Sequence, residues 1–235
     1  MGLWLRTNSI YKGLSWKFSE YTLLRKIGYR RSLMMDLISK EYRKESFELW
    51  KNLGHTEAEK QGFLFDDDAD DGLLKEIFLE RIYDVTGFIP KSNEVLIDIG
   101  AAYGETAVYW SKKYGALVWA FEPNPISYNI MLKHISLNKI EGKIFPFNIA
   151  IGDGRTIRYS KFGNLYTVSN GGIELKTERL DNFIFPRIDI IKIDVEGSEY
   201  VVLNGSLKII KDFHPRIIIE THSKELREKC LNLLY

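Results

Sequence analysis

From residue 94 onward, short apolar runs alternate regularly with segments of helical periodicity. The predicted strands occupy, in chain order, residues 95–99, 117–121, 143–151, 188–193 and 216–221. Continuous apolar strands separated by helices are typical of a parallel sheet that is covered on both faces. We therefore predict an α/β fold with a doubly wound, mostly parallel sheet, and a β-rich insertion where glycines cluster at 152–180.

The segment before this alternation has a different character and defines a predicted domain boundary. We expect an N-terminal helical segment at residues 1–90, followed by the sheet domain at 91–235. Residues 1–51 carry eleven Lys or Arg against five Asp or Glu, with apolar side chains such as Trp4 and Leu5 among them. Short helices there would cap the sheet domain, dock a partner or select the acceptor. The alternative is peripheral contact with an anionic membrane surface.

An acidic run at residues 66–71 precedes a helical pattern that carries Leu73, Leu74, Ile77 and Phe78 on one face. This spacing predicts one buried helix face. The acidic run lacks the alternation and the closing Glu of an EF-hand loop, which favours a solvated turn over a cation site.

Composition narrows the classes of partner and compartment. The net charge of +1 offers no overall field that would attract phosphates, so no nucleic-acid partner is expected. Cys230 is the single cysteine, which excludes an intrachain disulfide and favours a reducing compartment. No run approaches the roughly 20 apolar residues that span a bilayer, and no secretory leader is recognisable. We therefore expect a cytoplasmic protein.

The first predicted strand runs into a glycine-containing loop and then a helix. In parallel sheets, ligands bind beyond the carboxyl ends of the strands, where the strand order reverses. Glycines in such a loop let the backbone turn sharply and approach a ligand closely. The loop therefore predicts a nucleotide-cofactor site that includes Asp98, Gly100, Ala101, Tyr103 and Gly104.

Glu122 ends the second strand, 24 residues after Asp98. In nucleotide-binding sheets, an acid at this position accepts hydrogen bonds from the ribose hydroxyls. The loop reads D-x-G-x-x-x-G, and Asp98 would repel a dinucleotide's pyrophosphate. S-adenosylmethionine has no phosphate and carries a sulfonium and an ammonium, so the charge favours it as the cofactor. Alternatively, Asp98 organises the turn through backbone N–H groups, a role compatible with the first.

The end of the third predicted strand provides the expected adenine site. Asn148, or a backbone group near it, would recognise the edge of the base; Asn in such a turn is also often purely conformational. Pro123 and Ala150 complete the predicted cofactor-binding set.

The fourth and fifth strands end in acidic residues. In the usual doubly wound order these ends neighbour the first strand, so Asp98, Asp194, Glu196, Glu220 and His222 should converge. Lys192 would neutralise part of the cluster. The candidate catalytic residues are Asp194, Glu196, Glu220 and His222.

An alcohol acceptor must lose its proton, so one of these four residues would be the general base. A divalent cation bound to them would achieve the same by lowering the pKa of the hydroxyl, and the sequence does not decide between the two. The alternatives, taken residue by residue, are that Glu196 caps a helix, that Glu220 pairs with a lysine, and that His222 is structural.

These residues lie within a broader pattern. The blocks are VLIDIGAAYGETAVYW, VWAFEPNPISYNIMLKHISLN, TERLDNF, IDIIKIDVEGSEYVVLNGS and PRIIIETH. Over about residues 95–222, the chain resembles the FkbM-type methyltransferases. The resemblance implies a Rossmann-like enzyme that uses S-adenosylmethionine, commonly to methylate hydroxyls of sugars or natural products. It places Asp98, Gly100, Glu122 and Asp194 at cofactor positions, and Glu196 and Glu220 near the acceptor.

The chain differs from the family pattern at Tyr103, where a small or amide residue is usual. It also differs in ending at Tyr235, soon after the fifth strand. A sheet edge would remain, to be covered by a homodimer partner or by the N-terminal helices. We expect an O-methyltransferase acting on a sugar, a glycan or another small hydroxylated acceptor. One alternative is a catalytically silent cofactor-binding or scaffolding protein that docks a membrane or a complex through residues 1–51. The other is a nucleic-acid methyltransferase, but such an enzyme would need a motif for binding a flipped base, and the chain lacks one.

Overall fold

The computed structural model describes residues 2–7, 52–162, 165–168 and 172–235. The short helices predicted within residues 8–51 lie outside these ranges. In the described residues, the strands are β1 (Leu3–Thr7), β2 (Val95–Ile99), β3 (Leu117–Phe121), β4 (Ile144–Phe147), β5 (Ala150–Ile151), β6 (Thr156–Phe162), β7 (Leu165–Val168), β8 (Ile173–Glu178), β9 (Ile190–Ile193) and β10 (Arg216–Thr221).

The α-helices of the same ranges are α1 (Leu53–Lys60), α2 (Asp71–Lys75), α3 (Glu105–Tyr114), α4 (Pro125–Leu137), α5 (Glu199–Asn204), α6 (Leu207–Phe213) and α7 (Lys224–Leu234). A π-helical turn at Glu76–Glu80 extends α2, and a short 3-10 turn lies at Leu180–Asn182. None of the described helices is long and apolar enough to cross a bilayer.

The main sheet has six parallel strands in the order β1-β10-β9-β2-β3-β4. The chain moves outward from β2 to β4 and then returns to β9, on the other side of β2. The strand order therefore reverses between β2 and β9, which is where an open parallel sheet forms its ligand crevice. The predicted Rossmann-like, doubly wound class is confirmed.

The hydrophobic core lies on both faces of this sheet. All five residues of β2 are buried, with Leu96 packed in one cluster and Ile97 and Ile99 in the other. Trp110 of α3 fills the first cluster, and Cys230 of α7 is buried in the second. Alternate strand residues point to opposite faces, so the continuous apolar runs reflect burial on both sides.

The second sheet, in the order β5-β8-β6-β7, forms the predicted β-rich insertion. The prediction of one strand over residues 143–151 was wrong, because the chain leaves the main sheet after Phe147 and joins β8 at Ala150. The helical segment that follows β9 is divided into α5 and α6 at Gly205. A Cβ on Gly205 would lie 1.7 Å from the carbonyl oxygen of Gly152, so the chain bends where the two segments touch.

The N-terminal residues add the outermost strand. β1 pairs in parallel with β10, with Leu3 opposite Ile217, and the Gly2 carbonyl accepts the Ile217 N–H at 2.9 Å. The expectation of helices was therefore wrong for residues 3–7. An uncovered strand edge presents unpaired backbone groups, and here a strand of the same chain satisfies them rather than a helix or a second subunit.

The acidic run is a loop, as predicted, but it is not simply solvated. Asp66 accepts a hydrogen bond from the buried His134 at 2.8 Å, and Asp70 caps α2 by accepting the Gly72 and Leu73 N–H groups. The loop is thereby attached to α4. The helix after it buries Leu74, Ile77 and Phe78, whereas Leu73 is partly exposed.

Candidate active site

The loop between β2 and α3 turns through residues with positive φ angles: +79° at Gly100, +49° at Ala102 and +83° at Gly104. A Cβ on Gly100 would lie 1.8 Å from the carbonyl oxygen of Asp194. A Cβ on Gly104 would lie 2.7 Å from the Cγ of Met131. Both glycines are thus required by conformation and by space. Gly100 lets the loop lie against the end of β9, and Gly104 lets it lie against α4.

Glu122, at the end of β3, is bonded to this loop. Its Oε2 accepts the Ala102 N–H at 2.9 Å and its Oε1 accepts the Asn124 N–H at 2.8 Å. Burial raises the pKa of Glu122 to about 7, although both hydrogen bonds favour the charged form. Each carboxylate oxygen retains a second lone pair. This geometry is compatible with the predicted hydrogen bonds from ribose hydroxyls, which remain a prediction.

Asn148 lies directly beside Glu122, but its amide is bonded to the protein. Its Nδ2 donates to the carbonyl oxygens of Glu122 and Pro123, at 2.8 Å and 3.0 Å. These bonds hold the turn after β3 and match the conformational alternative for this asparagine. Ala150 begins β5 two residues later. Adenine recognition by this stretch remains a prediction.

Tyr103 and Ala101 are buried in the glycine loop. The carbonyl oxygen of Tyr103 accepts a hydrogen bond of 2.7 Å from Nδ1 of His134. Because the other ring nitrogen of His134 contacts Asp66, the histidine connects the glycine loop to the acidic loop.

Asp98 is fully buried, and its partner is Lys192 on the adjacent strand β9. The Lys192 Nζ donates to Asp98 Oδ1 at 3.0 Å and to the Gly100 carbonyl at 3.4 Å, and lies 3.9 Å from Asp194 Oδ2. Burial opposes the ammonium, but the adjacent Asp98 and Asp194 carboxylates hold the pKa of Lys192 above its usual range. Lys192 thus offsets the charge of Asp98, which agrees with the prediction that Lys192 neutralises part of the acidic cluster.

His222, just after β10, is at the centre of the acidic rim. Its Nδ1 donates to Glu199 Oε1 at 2.7 Å, while its Nε2 lies 3.3 Å from Glu196 Oε2 and 3.8 Å from Asp194 Oδ1. One ligand atom each of Asp194, Glu220 and His222 lies within 4.8 Å of the other two. The structure thus brings the four candidate catalytic residues together, with Asp98 set behind them against Lys192.

The electrostatics of the rim are dominated by carboxylates. Burial opposes protonation of His222, but the neighbouring Glu196 and Glu199 raise its pKa to about 10. Burial raises the pKa of Asp194 above its ordinary value, in spite of the nearby Lys192 and His222. Both shifts favour the protonated forms of these two groups at the ends of β9 and β10.

Three residues of this region were not identified as site residues from the sequence. Glu199 is fully buried against His222, and Tyr83 lies with its ring centroid 5.7 Å from the Lys192 Nζ. His134 supports the glycine loop. Glu199 follows closely after Asp194 and Glu196, which is a local signal, whereas Tyr83 and His134 reach the site through contacts between distant elements.

The methyltransferase FkbM domain model matches residues 98–231. The chain belongs to the FkbM methyltransferase family. This confirms the resemblance predicted from the sequence, and with it S-adenosylmethionine as the cofactor. Because the matched residues begin at Asp98 and continue beyond His222, they include both the glycine loop and the acidic rim.

Characterised relatives are distant. Methyltransferase sdnD from Sordaria araneosa is 25% identical over 192 residues, which are 63% of this chain and 73% of the relative. Hexuronic acid methyltransferase AglP from Haloferax volcanii is 25% identical over 143 residues, 57% of this chain and 58% of the relative. The crystal structure of an FkbM methyltransferase from Methylobacillus flagellatus matches with a TM-score of 0.51 and 18% identity, covering 98% of this chain and 67% of that one. This last likeness supports the fold.

The residues present fit S-adenosylmethionine. The glycine loop is held in a fixed turn by its close packing against Asp194 and Met131, and Glu122 lies bonded to it at the end of β3. Asp98 and Lys192 neutralise each other beneath the loop, and Asp194, whose main chain packs against Gly100, adds a carboxylate beside this pocket.

Proposed function

We propose that this protein is an O-methyltransferase that transfers the methyl group of S-adenosylmethionine to a hydroxyl of a sugar, a glycan or another small hydroxylated acceptor. The observation that carries the proposal is the position of the acidic rim around His222, directly beside the glycine loop. One contact joins the two parts, since Gly100 packs against the main chain of Asp194.

The cofactor, when bound, supplies an electrophilic methyl group on a positively charged sulfur. The loop at residues 100–104 would hold it through its main chain, and Glu122 would accept its ribose hydroxyls. Asp194 lies at the end of β9, between this pocket and the rim, so its carboxylate would favour positive charge there.

The rim would bind and deprotonate the acceptor. A carboxylate accepts hydrogen bonds from hydroxyls, and several carboxylates at one edge suit a polyhydroxylated molecule. Transfer would form a bond from the acceptor oxygen to the methyl carbon and leave the carbon–sulfur electron pair on sulfur, and the rim would take up the hydroxyl proton. Asp194, Glu196 and Glu220 would be the proton acceptors in this scheme, since their carboxylates lie together at the rim.

The choice of acceptor class has one external support, the distant relative that is a hexuronic acid methyltransferase. Acceptor selection would involve the second sheet and the segment up to residue 90, from which Tyr83 reaches Lys192. We expect no nucleic-acid partner. Membrane contact by residues 1–51, homodimer formation and a cytoplasmic location remain predictions.

Two measurements test this function. Calorimetric titration with S-adenosylmethionine should show binding to the wild-type protein and weaker binding to Glu122→Ala. Incubation with radiolabelled S-adenosylmethionine and a panel of uronic acids, hexoses and glycans should then yield a methylated product and S-adenosylhomocysteine. Absence of cofactor binding would refute the proposal, and binding without turnover across the panel would favour a scaffolding role instead.

A further inference from the structure

We infer that Asp194, Glu220 and His222 form a binding site for a divalent cation of the Mg²⁺ or Mn²⁺ class. The binding of the cation does not depend on the proposed methyl transfer, but its role in acceptor activation rests on that function.

The first argument is the spacing of the three ligand atoms. One oxygen each of Asp194 and Glu220 and one ring nitrogen of His222 lie within 4.8 Å of one another. Oxygen ligands surround Mg²⁺ at about 2.0–2.1 Å and larger hard cations at about 2.3–2.6 Å, so ligands on opposite sides of an ion are about 4–5 Å apart. An ion therefore fits among these atoms with little movement of the side chains.

The second argument is independent of the spacing and concerns the orientation of His222. Its Nδ1 donates to Glu199, and Glu199 is itself held by the Gly197 N–H at 2.9 Å and is fully buried. Within the described part of the chain, Nε2 is buried and makes no well-aligned hydrogen bond, its nearest acceptor being Glu196 Oε2 at 3.3 Å. A histidine that binds a metal almost always donates its other N–H to such a carboxylate or carbonyl. The Glu199 bond thus fixes Nε2 beside Glu196 and Asp194, and a bound cation would take the place of the proton on this nitrogen.

The third argument is the balance of charge. Asp194, Glu196, Glu199 and Glu220 surround the one imidazole of His222. The ammonium of Lys192 is bonded to Asp98 at 3.0 Å and reaches Asp194 only at 3.9 Å. A doubly charged ion bound by Asp194, Glu220 and His222 would favour the ionised forms of the two carboxylates.

A cation at this position would also have a chemical use. A hydroxyl that approaches a bound divalent cation loses its proton more readily. The neighbouring Glu196 could receive that proton, since its Oε2 lies beside the proposed ligand His222. The site would select acceptors that present a hydroxyl together with a second oxygen, as sugars and uronic acids do.

The test is titration of the EDTA-treated, full-length protein with Mn²⁺ alone, followed by electron paramagnetic resonance. We expect one specific site in the wild-type protein and a loss of affinity of more than tenfold in Glu220→Gln and His222→Asn. Glu199→Gln, which changes no ligand, should weaken binding about 10- to 100-fold because His222 loses its orientation. Glu225→Gln is the matched control, since this exposed acid of α7 pairs with Lys229 outside the cluster.

The same protein samples are titrated with S-adenosylmethionine in the presence of EDTA, so that the two proposals can fail separately. Cofactor binding without specific Mn²⁺ binding would overturn the cation site and leave the methyltransferase function standing. Mn²⁺ binding that Glu220→Gln and His222→Asn leave unchanged would equally overturn it. Circular dichroism identifies a variant that does not fold, and the isosteric Glu220→Gln keeps the test decisive if His222→Asn is lost.

Discussion

The carbonyl oxygen of Asp194 lies 1.8 Å from the point that a Cβ on Gly100 would occupy. This contact joins the end of β9 to the glycine loop after β2, the two strands between which the strand order reverses. The proposed acceptor side and the cofactor side therefore share one packing contact, and a shift in either should affect the other.

Gly100→Ala should strongly destabilise the protein. The variant must adopt a φ of +79° and also displace the Asp194 main chain, so we expect a decrease in the free energy of unfolding of more than about 3 kcal/mol. Gly62→Ala is the matched control, because Gly62 has a φ of +82° with nothing within 4 Å of its Cβ. That control should lose only about 1–2 kcal/mol. Equal losses in urea unfolding of the two variants would contradict the packing argument.

Cofactor binding should become tighter as the pH rises through about 7. Burial raises the pKa of Glu122 to about 7, and the ionised form is the better acceptor for ribose hydroxyls. Calorimetry between pH 6 and pH 8 should show this increase in the wild-type protein. Glu122→Gln should bind about 10- to 100-fold more weakly at pH 8 and lose the pH dependence. The exposed Glu141→Gln should behave as wild type, and an unchanged pH profile in Glu122→Gln would contradict the assignment.

Glu105→Gln should stabilise the protein at alkaline pH. Burial raises the pKa of Glu105, at the start of α3, to about 8, while the unfolded carboxyl titrates near 4.5. The folded state therefore keeps a proton that the unfolded chain releases, and wild-type stability should fall as the pH rises from about 4.5 to 8. The glutamine mimics the protonated acid, so its advantage should grow by more than about 1 kcal/mol from pH 5 to pH 8. A difference that does not vary with pH would show that Glu105 is ionised in the fold.

Two substitutions of His134 should separate its two contacts. Asn carries an amide nitrogen near the position of Nδ1 and can retain the bond to the Tyr103 carbonyl, whereas Gln reaches the position of Nε2 and can retain the bond to Asp66. We expect His134→Gln to weaken S-adenosylmethionine binding about three- to tenfold, as suits the loss of one hydrogen bond, and His134→Asn to weaken it less. Similar cofactor affinities of the two variants, measured by calorimetry, would show that the Tyr103 contact does not position the loop.

The sequence predicted those features that repeat locally. The apolar runs identified the central strands, and the placement of Gly100, Glu122 and Asp194 at strand ends followed from the parallel topology. The convergence of Asp194, Glu220 and His222 could be predicted in the same way, because strand order determines which ends are neighbours.

Features that depend on contacts between distant residues could not be predicted. The strand predicted over residues 143–151 is interrupted at Asn148, where the side-chain amide donates to the carbonyl oxygens of Glu122 and Pro123. A local sequence pattern does not predict such bonds. Residues 3–7 form a strand because they pair with the open edge of β10, and their own sequence did not indicate this pairing. The contact of Tyr83 with Lys192 likewise links segments that are far apart in the sequence.

The pairing of β1 with β10 has a consequence for biosynthesis. Leu3 meets Ile217 in the sheet although roughly 200 residues separate them. Closing so long a loop is entropically unfavourable until the strands between are in place. Because β1 is synthesised long before β10, it stays undocked until β10 has left the ribosome, and during that interval its backbone is available to chaperones or to neighbouring nascent chains.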